Sequence, residues 1–247
     1  MPSLIPSRLA AACGLVLFLL LAIASPAVAK KVEADLRVVG KGSKVLAETT
    51  MKTGPTKIPT SKKATCFGKG TGGSGKKYAT KGPTALGLLS EAATSIKELK
   101  PLLITDTFVD EFGLGICGVG KSKSSSKLSW YLKVNHKNPN IGGEKAKVRK
   151  GDDVLWALAG FPYPNELALE APGEATPGVG FDVRVFSYDD KGKRKPAAGV
   201  SVTGAGAPTG SDGRTTVTVL TPEVIRATHG KDIPSNGVSV CIAGVCP

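Results

Sequence analysis

Histidine and aromatic residues are scarce in this chain of 247 residues. Only two histidines occur, which leaves little material for a histidine-based catalytic or metal site. Aromatic residues make up 5% of the sequence, which is little for a large hydrophobic core. No Gly-x-Ser-x-Gly motif is present, and neither a helix-turn-helix nor an RNA-recognition pattern is visible. These absences argue against an enzyme and against a nucleic-acid-binding protein, and we expect no cofactor.

Long apolar runs are also rare, and the one clear example lies at the N-terminus. Arg8 precedes it, residues 9–23 form it, and the small residues Ala27-Val28-Ala29 follow. This order is typical of a secretory signal peptide over residues 1–29 that is cleaved after Ala29. The run is short for a membrane-spanning helix, which needs about 20 apolar residues, so a membrane anchor is the weaker alternative. We expect a secreted, extracellular or envelope-associated protein with no stable membrane span in its mature form.

The cysteine count agrees with export. Cys13 leaves with the signal peptide, and the four that remain are even in number, as expected in an oxidising compartment. Four cysteines allow three pairings, and we favour Cys66–Cys117 with Cys241–Cys246 because each pair then lies within one proposed domain. A zinc site is the weaker alternative, since no Cys-x-x-Cys pair is present and neither histidine is near.

Positive charge is concentrated at the start of the mature chain. Residues 30–81 hold 13 basic and 3 acidic residues, whereas residues 160–247 hold 8 basic and 9 acidic. Most of the excess is lysine, a hydrated point charge that suits diffuse anionic surfaces. Acidic envelope polymers or anionic lipid headgroups fit an exported protein, and a solvated face that only aids solubility is the alternative. The candidate polyanion-binding residues flank glycines in a predicted flexible loop: Lys62, Lys63, Lys69, Lys76 and Lys77.

Glycine and proline are abundant, with 31 and 17 residues, which favours short strands and many turns. One helix is predicted, opening at Gly82-Pro83 with Pro83 in its first position, because leucine and alanine recur every three or four residues. A Pro/Gly-rich stretch over residues 160–176 is predicted to be a linker. Strands are predicted at residues 34–39, 44–51, 102–108, 114–119, 128–135, 154–158, 181–188, 200–203, 215–220, 225–228 and 238–242.

Both tryptophans lie in predicted strands of the first half. Trp130 and Trp156 could pack together as core, which is the simpler interpretation, or form an apolar shelf for a flat ligand. Tyr131 and Asn135 complete that candidate shelf, although Asn135 at a strand end suits the shaping of a turn better than a ligand contact. No residue is predicted to be catalytic or to bind a metal.

Three segments stand in an order that resembles a known bacterial domain. They are Pro83-Thr84-Ala85-Leu86-Gly87-Leu88-Leu89, Trp130-Tyr131-Leu132-Lys133-Val134-Asn135 and Lys150-Gly151-Asp152-Asp153-Val154-Leu155-Trp156. Together they resemble the bacterial surface domain of uncharacterised function that is related to the C-terminal domain of transcobalamin and intrinsic factor. One departure is His136, where glycine commonly follows the asparagine in that family.

The resemblance implies a β-grasp-like domain over residues 30–159, with a mixed sheet covered by one helix. In the vertebrate relatives this domain closes over cobalamin, but the matched motifs are structural in kind, so no cobalamin contact is assigned. Residues 177–247 resemble the Ig-like modules of extracellular bacterial proteins, through Ala198-Gly199-Val200 and residues 209–217. The expected fold class is therefore α+β and all-β: a β-grasp-like domain followed by a small Ig-like β-sandwich.

Together these features predict an exported, non-enzymatic binding or adhesion-type protein whose ligand is an acidic polymer of the cell envelope. The alternative is a small-molecule, cobalamin-type binding protein of the cell surface. Ig-like modules usually hold, space or bind rather than catalyse, which agrees with either function.

The signal pattern makes one prediction about processing. Cleavage after Ala29 should give a secreted protein that begins at Lys30, because small residues immediately before the cut are what signal peptidases require. The intact mass of the secreted protein measures this directly. A mass that still includes residues 1–29 would instead indicate a membrane anchor.

Overall fold

Strands predominate over helices in the computed structural model, which describes residues 31–247. The strands form several separate sheets, in agreement with the coarse expectation of a mostly β protein. The predicted signal segment, its cleavage site at Ala29 and the expected N-terminal residue Lys30 lie outside the described residues. None of the helices within residues 31–247 has the length and apolar character that crossing a bilayer requires.

The first half of the described chain carries nine strands and two α-helices, with single 3₁₀ turns at Lys41–Ser43 and Lys97–Leu99. In chain order the elements are β1 (Val32–Val39), β2 (Val45–Thr53), β3 (Lys57–Pro59), β4 (Lys77–Ala79), α1 (Ala85–Ser95), β5 (Leu102–Thr105), α2 (Val109–Phe112), β6 (Gly115–Val119), β7 (Ser122–Lys123), β8 (Ser129–Val134) and β9 (Asp153–Ala159).

The main sheet has the strand order β2-β1-β9-β8. β1 and β9 are parallel, and the two outer pairings are antiparallel. Because side chains alternate along a strand, the sheet has two different faces. Leu36 and Val154 are paired and lie in the core under α1, whereas the next pair, Arg37 and Leu155, lies on the opposite face. The second half of the chain packs on that opposite face.

Helix α1 begins at Ala85, two residues later than a helix with Pro83 in its first position would. Thr84 is the N-cap, and its Oγ1 accepts a hydrogen bond of 3.1 Å from the backbone N–H of Gly87. Pro83 therefore precedes the cap. The predicted apolar residues Leu86 and Leu89 are fully buried. Residues on the other sides of the helix, such as Gly87 and Ser90, are buried as well.

The two smaller sheets of the first half, β3-β4 and β5-β6-β7, lie beside this core. A disulfide joins Cys66, in the loop after β3, to Cys117 of β6 across 51 residues. A second disulfide joins Cys241 to Cys246 across 5 residues. This is the pairing that the sequence favours, and loop-closure entropy assigns about 4 kcal/mol to the longer loop and about 2 kcal/mol to the shorter.

The second half is built from strands alone. They are β10 (Glu166–Glu170), β11 (Glu174–Ala175), β12 (Phe181–Tyr188), β13 (Arg194–Pro196), β14 (Ser201–Val202), β15 (Arg214–Val217), β16 (Glu223–Ile225), β17 (Ala227–Thr228) and β18 (Val238–Ile242). β12 pairs with β10, β13 and β15, while β18 pairs with β11 and β16, and these strands enclose a second hydrophobic core.

The segment predicted as a linker, residues 160–176, instead contains strands β10 and β11. Leu167 and Leu169 of β10 alternate with polar or small residues and enter the second core, which is why the segment is ordered. The prolines and glycines that suggested a linker lie in the turns on either side of β10.

The two halves meet at a buried ionic cluster, which we call the Glu166 cluster: Arg37, Lys133, His136, Asp153 and Glu166. One carboxylate oxygen of Glu166 accepts hydrogen bonds from the Arg37 guanidinium and from His136 Nδ1, the latter at 3.0 Å. Its other oxygen lies 3.8 Å from Lys133 Nζ. The side chains of Lys133 and Glu166 are 0% exposed, so these charges compensate one another without water.

Each long cation of the cluster also reaches into the second half. Lys133 Nζ donates to the carbonyl oxygens of Tyr188 and Asp189, both at 3.0 Å. Arg37 donates to the carbonyl oxygen of Pro234 at 2.5 Å. Burial alone would raise the pKa of Glu166, but the hydrogen bond from His136 and the charge of Arg37 hold it below its usual value.

Truncation of Glu166 should destabilise the fold strongly. Glu166→Ala leaves two buried cations without their anion, which typically costs about 3–5 kcal/mol. Because its folded-state pKa is lowered, the stabilisation is present above the unfolded-state value, about pH 4.3, and is lost as the pH falls through the folded-state pKa. Urea unfolding across a pH series measures both effects.

Glu170→Ala is the matched control, since its side chain is 59% exposed and pairs with the exposed Arg194. Exposed pairs contribute about 0–1 kcal/mol. Equal losses of stability in the two variants would contradict the assigned role of the cluster.

Candidate functional site

A pocket of about 590 Å³ lies beside the outer edge of β8, and we call it the β8-edge pocket. β8 is the last strand of the main sheet, so no described strand pairs with its outer side. Three of the four predicted shelf residues, Trp130, Tyr131 and Trp156, line this pocket. Further walls come from residues 114–116, 124–126, 138–139 and 141–143 and from Cys66, Phe67 and Tyr163.

The two tryptophans differ in role. Trp156 is 5% exposed, belongs to the first core, and donates from Nε1 to the carbonyl oxygen of Ala85 at 3.2 Å. It therefore forms the inner wall, as the core interpretation expects. Trp130 is only partly buried, and its indole N–H is shielded from water with no hydrogen-bond partner among the described residues. A ligand oxygen would satisfy this donor only after the side chains that cover it move aside.

Two stacked tyrosines form another wall. The rings of Tyr131 and Tyr163 are 3.9 Å apart between centroids and inclined by 17°. Tyr131 donates its hydroxyl to Asp190 Oδ1 at 2.6 Å, and burial followed by this hydrogen bond raises its pKa. Sequence reasoning missed Tyr163 because it lies in the predicted linker. The aromatic residues next to prolines at Phe161-Pro162-Tyr163-Pro164 were the available signal.

Asn135 does not belong to the pocket. It follows the far end of β8 with a φ of 50°, and its amide oxygen accepts from the backbone N–H of Asp153 at 2.9 Å. Its amide nitrogen donates to Asp152 Oδ1 at 2.9 Å. Its side chain is therefore used in shaping the turn, and the shelf prediction is wrong for this residue.

The pocket also presents backbone groups of β8. In an antiparallel pair, alternate residues bond to the partner strand, and the backbone N–H of Asn135 bonds to the carbonyl of Asp153. Because this pattern repeats every two residues, the backbone N–H and C=O groups of Tyr131 and Lys133 also face β9. The N–H and C=O groups of Trp130 and Leu132 therefore point outward, along the open edge and into the region of the pocket.

The loop that carries the candidate lysines, residues 61–77, is held in place rather than flexible as predicted. The backbone N–H of Gly73 bonds to the carbonyl of Ser61 at 2.8 Å, and the disulfide at Cys66 fastens the loop to β6. A Cβ at Gly72 would lie 2.2 Å from the carbonyl oxygen of Lys62, so glycine here permits close approach of two backbone segments. All five candidate lysines are exposed on this loop and at the start of β4.

Asp106 is the main side-chain anchor of that loop. It accepts hydrogen bonds from the backbone N–H and hydroxyl of Ser74, at 2.7 and 2.5 Å, and from the hydroxyl of Tyr78 at 2.8 Å. Burial would raise the pKa of Asp106, but the hydrogen bonds from Ser74 and Tyr78 outweigh it and lower the pKa. The ionised carboxylate therefore fixes the loop.

The loop and the pocket are contiguous. Cys66 and Phe67 belong to the loop and also line the β8-edge pocket. Residues 61–77 hold five lysines and no acidic residue, so the loop that reaches the pocket through Cys66 and Phe67 is basic. The aromatic walls and the lysine-bearing loop therefore adjoin one another.

One group of side chains has the composition of a metal site. A ring nitrogen of His136 and carboxylate oxygens of Asp153 and Glu166 lie within 4.8 Å of one another. The ring of His136 also stacks on Tyr188 at 3.9 Å, so this histidine is part of the junction rather than a simple surface residue. Arg37 and Lys133 already neutralise Glu166, and a divalent cation would add two charges beside them. The arrangement fits an ion-pair junction better than a metal centre.

Comparison with known proteins gives no relative: no protein-family model matches the chain, and no curated protein matches its sequence. The assignment of function therefore depends on the geometry of the site itself.

Removal of the Asp106 anchor should free the basic loop. Asp106→Ala should lower the hydrogen-exchange protection of the Ser74 amide and speed tryptic cleavage after Lys69 and Lys76, because the loop loses its two hydrogen bonds from Ser74 and β4 loses the one from Tyr78. In the unaltered protein the protection of the same amide, measured relative to its intrinsic exchange rate at each pH, should be lost as the pH falls through the lowered pKa of Asp106.

Asp110→Ala serves as the control, since this exposed aspartate of α2 is near in sequence. Cleavage of the two variants at the same rate would mean that Asp106 does not fix the loop.

Proposed function

We propose that this chain is an exported, non-enzymatic protein that binds an acidic polymer of the cell envelope. The observation that carries the proposal is the contiguity of the β8-edge pocket with the basic loop through Cys66 and Phe67. A polymer that follows the loop would place one of its rings in the pocket. The same side of the protein therefore offers an aromatic pocket for a ring of the polymer and lysines for its negative charges.

The pocket suits a sugar ring of such a polymer. Sugar rings have apolar faces that pack on aromatic side chains and hydroxyl groups that accept and donate hydrogen bonds. Trp130 and Tyr163 supply the aromatic surfaces, and the Trp130 indole N–H together with the outward backbone groups of β8 supplies hydrogen-bonding partners. Ser124, Ser125 and Ser126 add further polar groups to the rim.

The loop suits the negative charges of the polymer. Each exposed lysine contributes little by itself, and salt screens it beyond about 8–10 Å. Because hydrogen bonds and the disulfide hold the loop backbone, binding orders only the lysine side chains, and their weak contributions can add. Binding should therefore be salt-sensitive, whereas a merely solvated face would show no preference for a polyanion.

The fold supports this function at the level of architecture. We propose a β-grasp-like domain over residues 30–159, supported by the mixed sheet in the order β2-β1-β9-β8 with α1 on one face. We propose a small Ig-like sandwich that begins at β10 rather than at residue 177, because β10 and β11 belong to the two strand layers that enclose the second core. The resemblance to the transcobalamin-related bacterial domain rests on its sequence motifs, and two disulfides agree with an extracellular location.

A small-molecule ligand, such as a corrinoid, is the second candidate. The unpartnered indole N–H of Trp130 favours it, because a single small ligand could satisfy that donor without any contact to the loop. The two functions differ in their dependence on the lysines, and this difference decides between them.

Retention on immobilised polygalacturonate, with neutral dextran as the reference polymer, tests the proposal. The triple variant Lys62→Gln/Lys63→Gln/Lys69→Gln should lose most of the retention seen at about 0.05 M salt, since three of its contacts disappear. Trp130→Phe should weaken retention less, through loss of one hydrogen-bond donor.

The matched control is Lys191→Gln/Lys193→Gln/Lys195→Gln, which removes the same charge from exposed positions of the second half. Two results would refute the polymer function. One is equal retention of both triple variants on polygalacturonate, and the other is equal retention of the unaltered protein on polygalacturonate and on dextran. A thermal shift with a corrinoid that is unaffected by the loop variant would instead favour the second candidate.

A further inference from the structure

The disulfide between Cys66 and Cys117 borders the β8-edge pocket. Cys66 is partly exposed and lines the pocket, whereas Cys117 of β6 is 4% exposed. The backbone N–H of Cys66 donates a hydrogen bond of 3.2 Å to Cys117 Sγ. The two sulfurs therefore differ in their surroundings, and a thiol that enters the pocket meets Cys66 first.

This asymmetry sets the direction of thiol–disulfide exchange at the bond. A thiolate attacks Cys66 Sγ, a new S–S bond forms there, and Cys117 leaves as a thiolate. The hydrogen bond from the Cys66 N–H stabilises the negative charge on the leaving sulfur. With a dithiol, the second thiol then attacks the mixed disulfide and releases Cys66. Two electrons and two protons have then passed to the cysteines, and the dithiol has become a disulfide.

The part of the basic loop around Cys66 has few other attachments. We call residues 62–70 the loop tip, and it carries Lys62, Lys63 and Lys69. Among the described residues, every hydrogen bond of the loop tip stays within residues 61–71, apart from the one that joins Cys66 to Cys117. The disulfide is therefore its main link to the rest of the protein.

The remaining contacts of the loop tip are apolar. Ala64 is buried, and the ring of Phe67 meets that of Phe108 edge-to-face at 5.3 Å between centroids. Such an aromatic pair contributes about 0.5–1.5 kcal/mol beyond its buried area. The closure of the 51-residue loop by the disulfide contributes about 4 kcal/mol, so the covalent link dominates.

The base of the same loop is held independently of the disulfide. Asp106 accepts hydrogen bonds from the backbone N–H and hydroxyl of Ser74. The hydroxyls of Thr105 and Thr107 donate to the carbonyl oxygen of Thr71 at 3.0 and 2.5 Å. Cleavage of the disulfide would therefore free the loop tip and leave the base in place.

The second disulfide lacks this property. Cys241 and Cys246 are five residues apart, and between them Ile242 and Val245 exchange two backbone hydrogen bonds of 2.9 Å. These bonds keep the short loop closed when its disulfide is reduced. Cys241–Cys246 is consequently an internal reference for Cys66–Cys117.

We propose that Cys66–Cys117 is a thiol–disulfide exchange site through which a dithiol reductant switches the loop tip from a fixed to a mobile state. The exchange and the release of the loop tip do not depend on any ligand. The consequence for binding rests on the proposed function: the reduced protein should bind an acidic polymer more weakly, because the backbone of the loop tip must then be ordered on binding.

Reduction of the full mature protein by dithiothreitol, without denaturant, tests the switch. Iodoacetamide should then label Cys66 and Cys117 while thermal unfolding still shows a folded protein. Tryptic cleavage after Lys63 and Lys69 should become at least about tenfold faster, whereas cleavage after Lys76, at the loop base, should stay slow. Reoxidation should restore slow cleavage at all three sites.

Two double variants serve as matched controls. Cys241→Ala/Cys246→Ala retains the Cys66–Cys117 bond and should respond to dithiothreitol as the unaltered protein does. Cys66→Ala/Cys117→Ala should be cleaved rapidly after Lys63 and Lys69 without any reductant, and dithiothreitol should cause no further change. The reduction and reoxidation of the unaltered protein give the same information if that second variant does not fold.

Retention on polygalacturonate at about 0.05 M salt measures the consequence for binding. Reduction of the Cys241→Ala/Cys246→Ala variant should lower its retention several-fold, and reoxidation should restore it. Absence of retention in both states, together with release of the loop tip, would refute the polymer function and support the switch.

Either of two observations would overturn the proposal. One is labelling of Cys66 and Cys117 only after the protein has unfolded, which would make this disulfide a structural cross-link alone. The other is cleavage after Lys63 and Lys69 at the same rate in the oxidised and the reduced protein.

Discussion

The carboxylate of Glu166 determines how the two halves of the molecule meet. It is buried on the first strand of the second half, and it contacts Arg37 and His136 directly and Lys133 at longer range. Two cations that are almost completely buried, Arg37 and Lys133, cannot be left without an anion, so the outer face of the main sheet must remain covered by the second half. That requirement fixes the face on which β10 packs, and through it the path of the chain between β9 and β10.

The path from β9 to β10 in turn completes the β8-edge pocket. Tyr163 lies on this path and stacks on Tyr131, whose hydroxyl is held by Asp190 of the second half. One wall of the pocket therefore depends on contacts between the halves, although the tryptophans come from the first half alone. The opposite wall depends on the disulfide at Cys66, which holds the basic loop against β6. The β8-edge pocket therefore depends both on the contacts between the two halves and on the disulfide at Cys66.

Local patterns were sufficient to predict the longer regular elements but not the shortest ones or the site. Strands such as β12 and the helix α1 follow from periodicity, and the cysteine pairing follows from the domain division. The strand β10 was missed because prolines flank it and it has only five residues. The ion pair of Arg37 with Glu166 joins residues 129 apart, and no local pattern records such a contact. The fixed state of the loop also depends on distant partners, above all Asp106.

A fixed basic loop has a different consequence for recognition from the flexible one that its glycines suggest. A mobile lysine cluster adapts to any polyanion, but each lysine loses conformational freedom on binding. Here Gly72 permits close backbone contact, and Asp106 and the disulfide at Cys66 hold the loop, so the backbone part of that ordering occurs during folding. The positions from which the lysine side chains extend are then a property of the protein, and polyanions whose charges lie within reach of those positions are favoured over others of equal charge density. Phe67, which lies within the same fixed loop, is likewise presented in a set position beside the lysines. Recognition by this side of the molecule therefore depends on geometry as well as on charge.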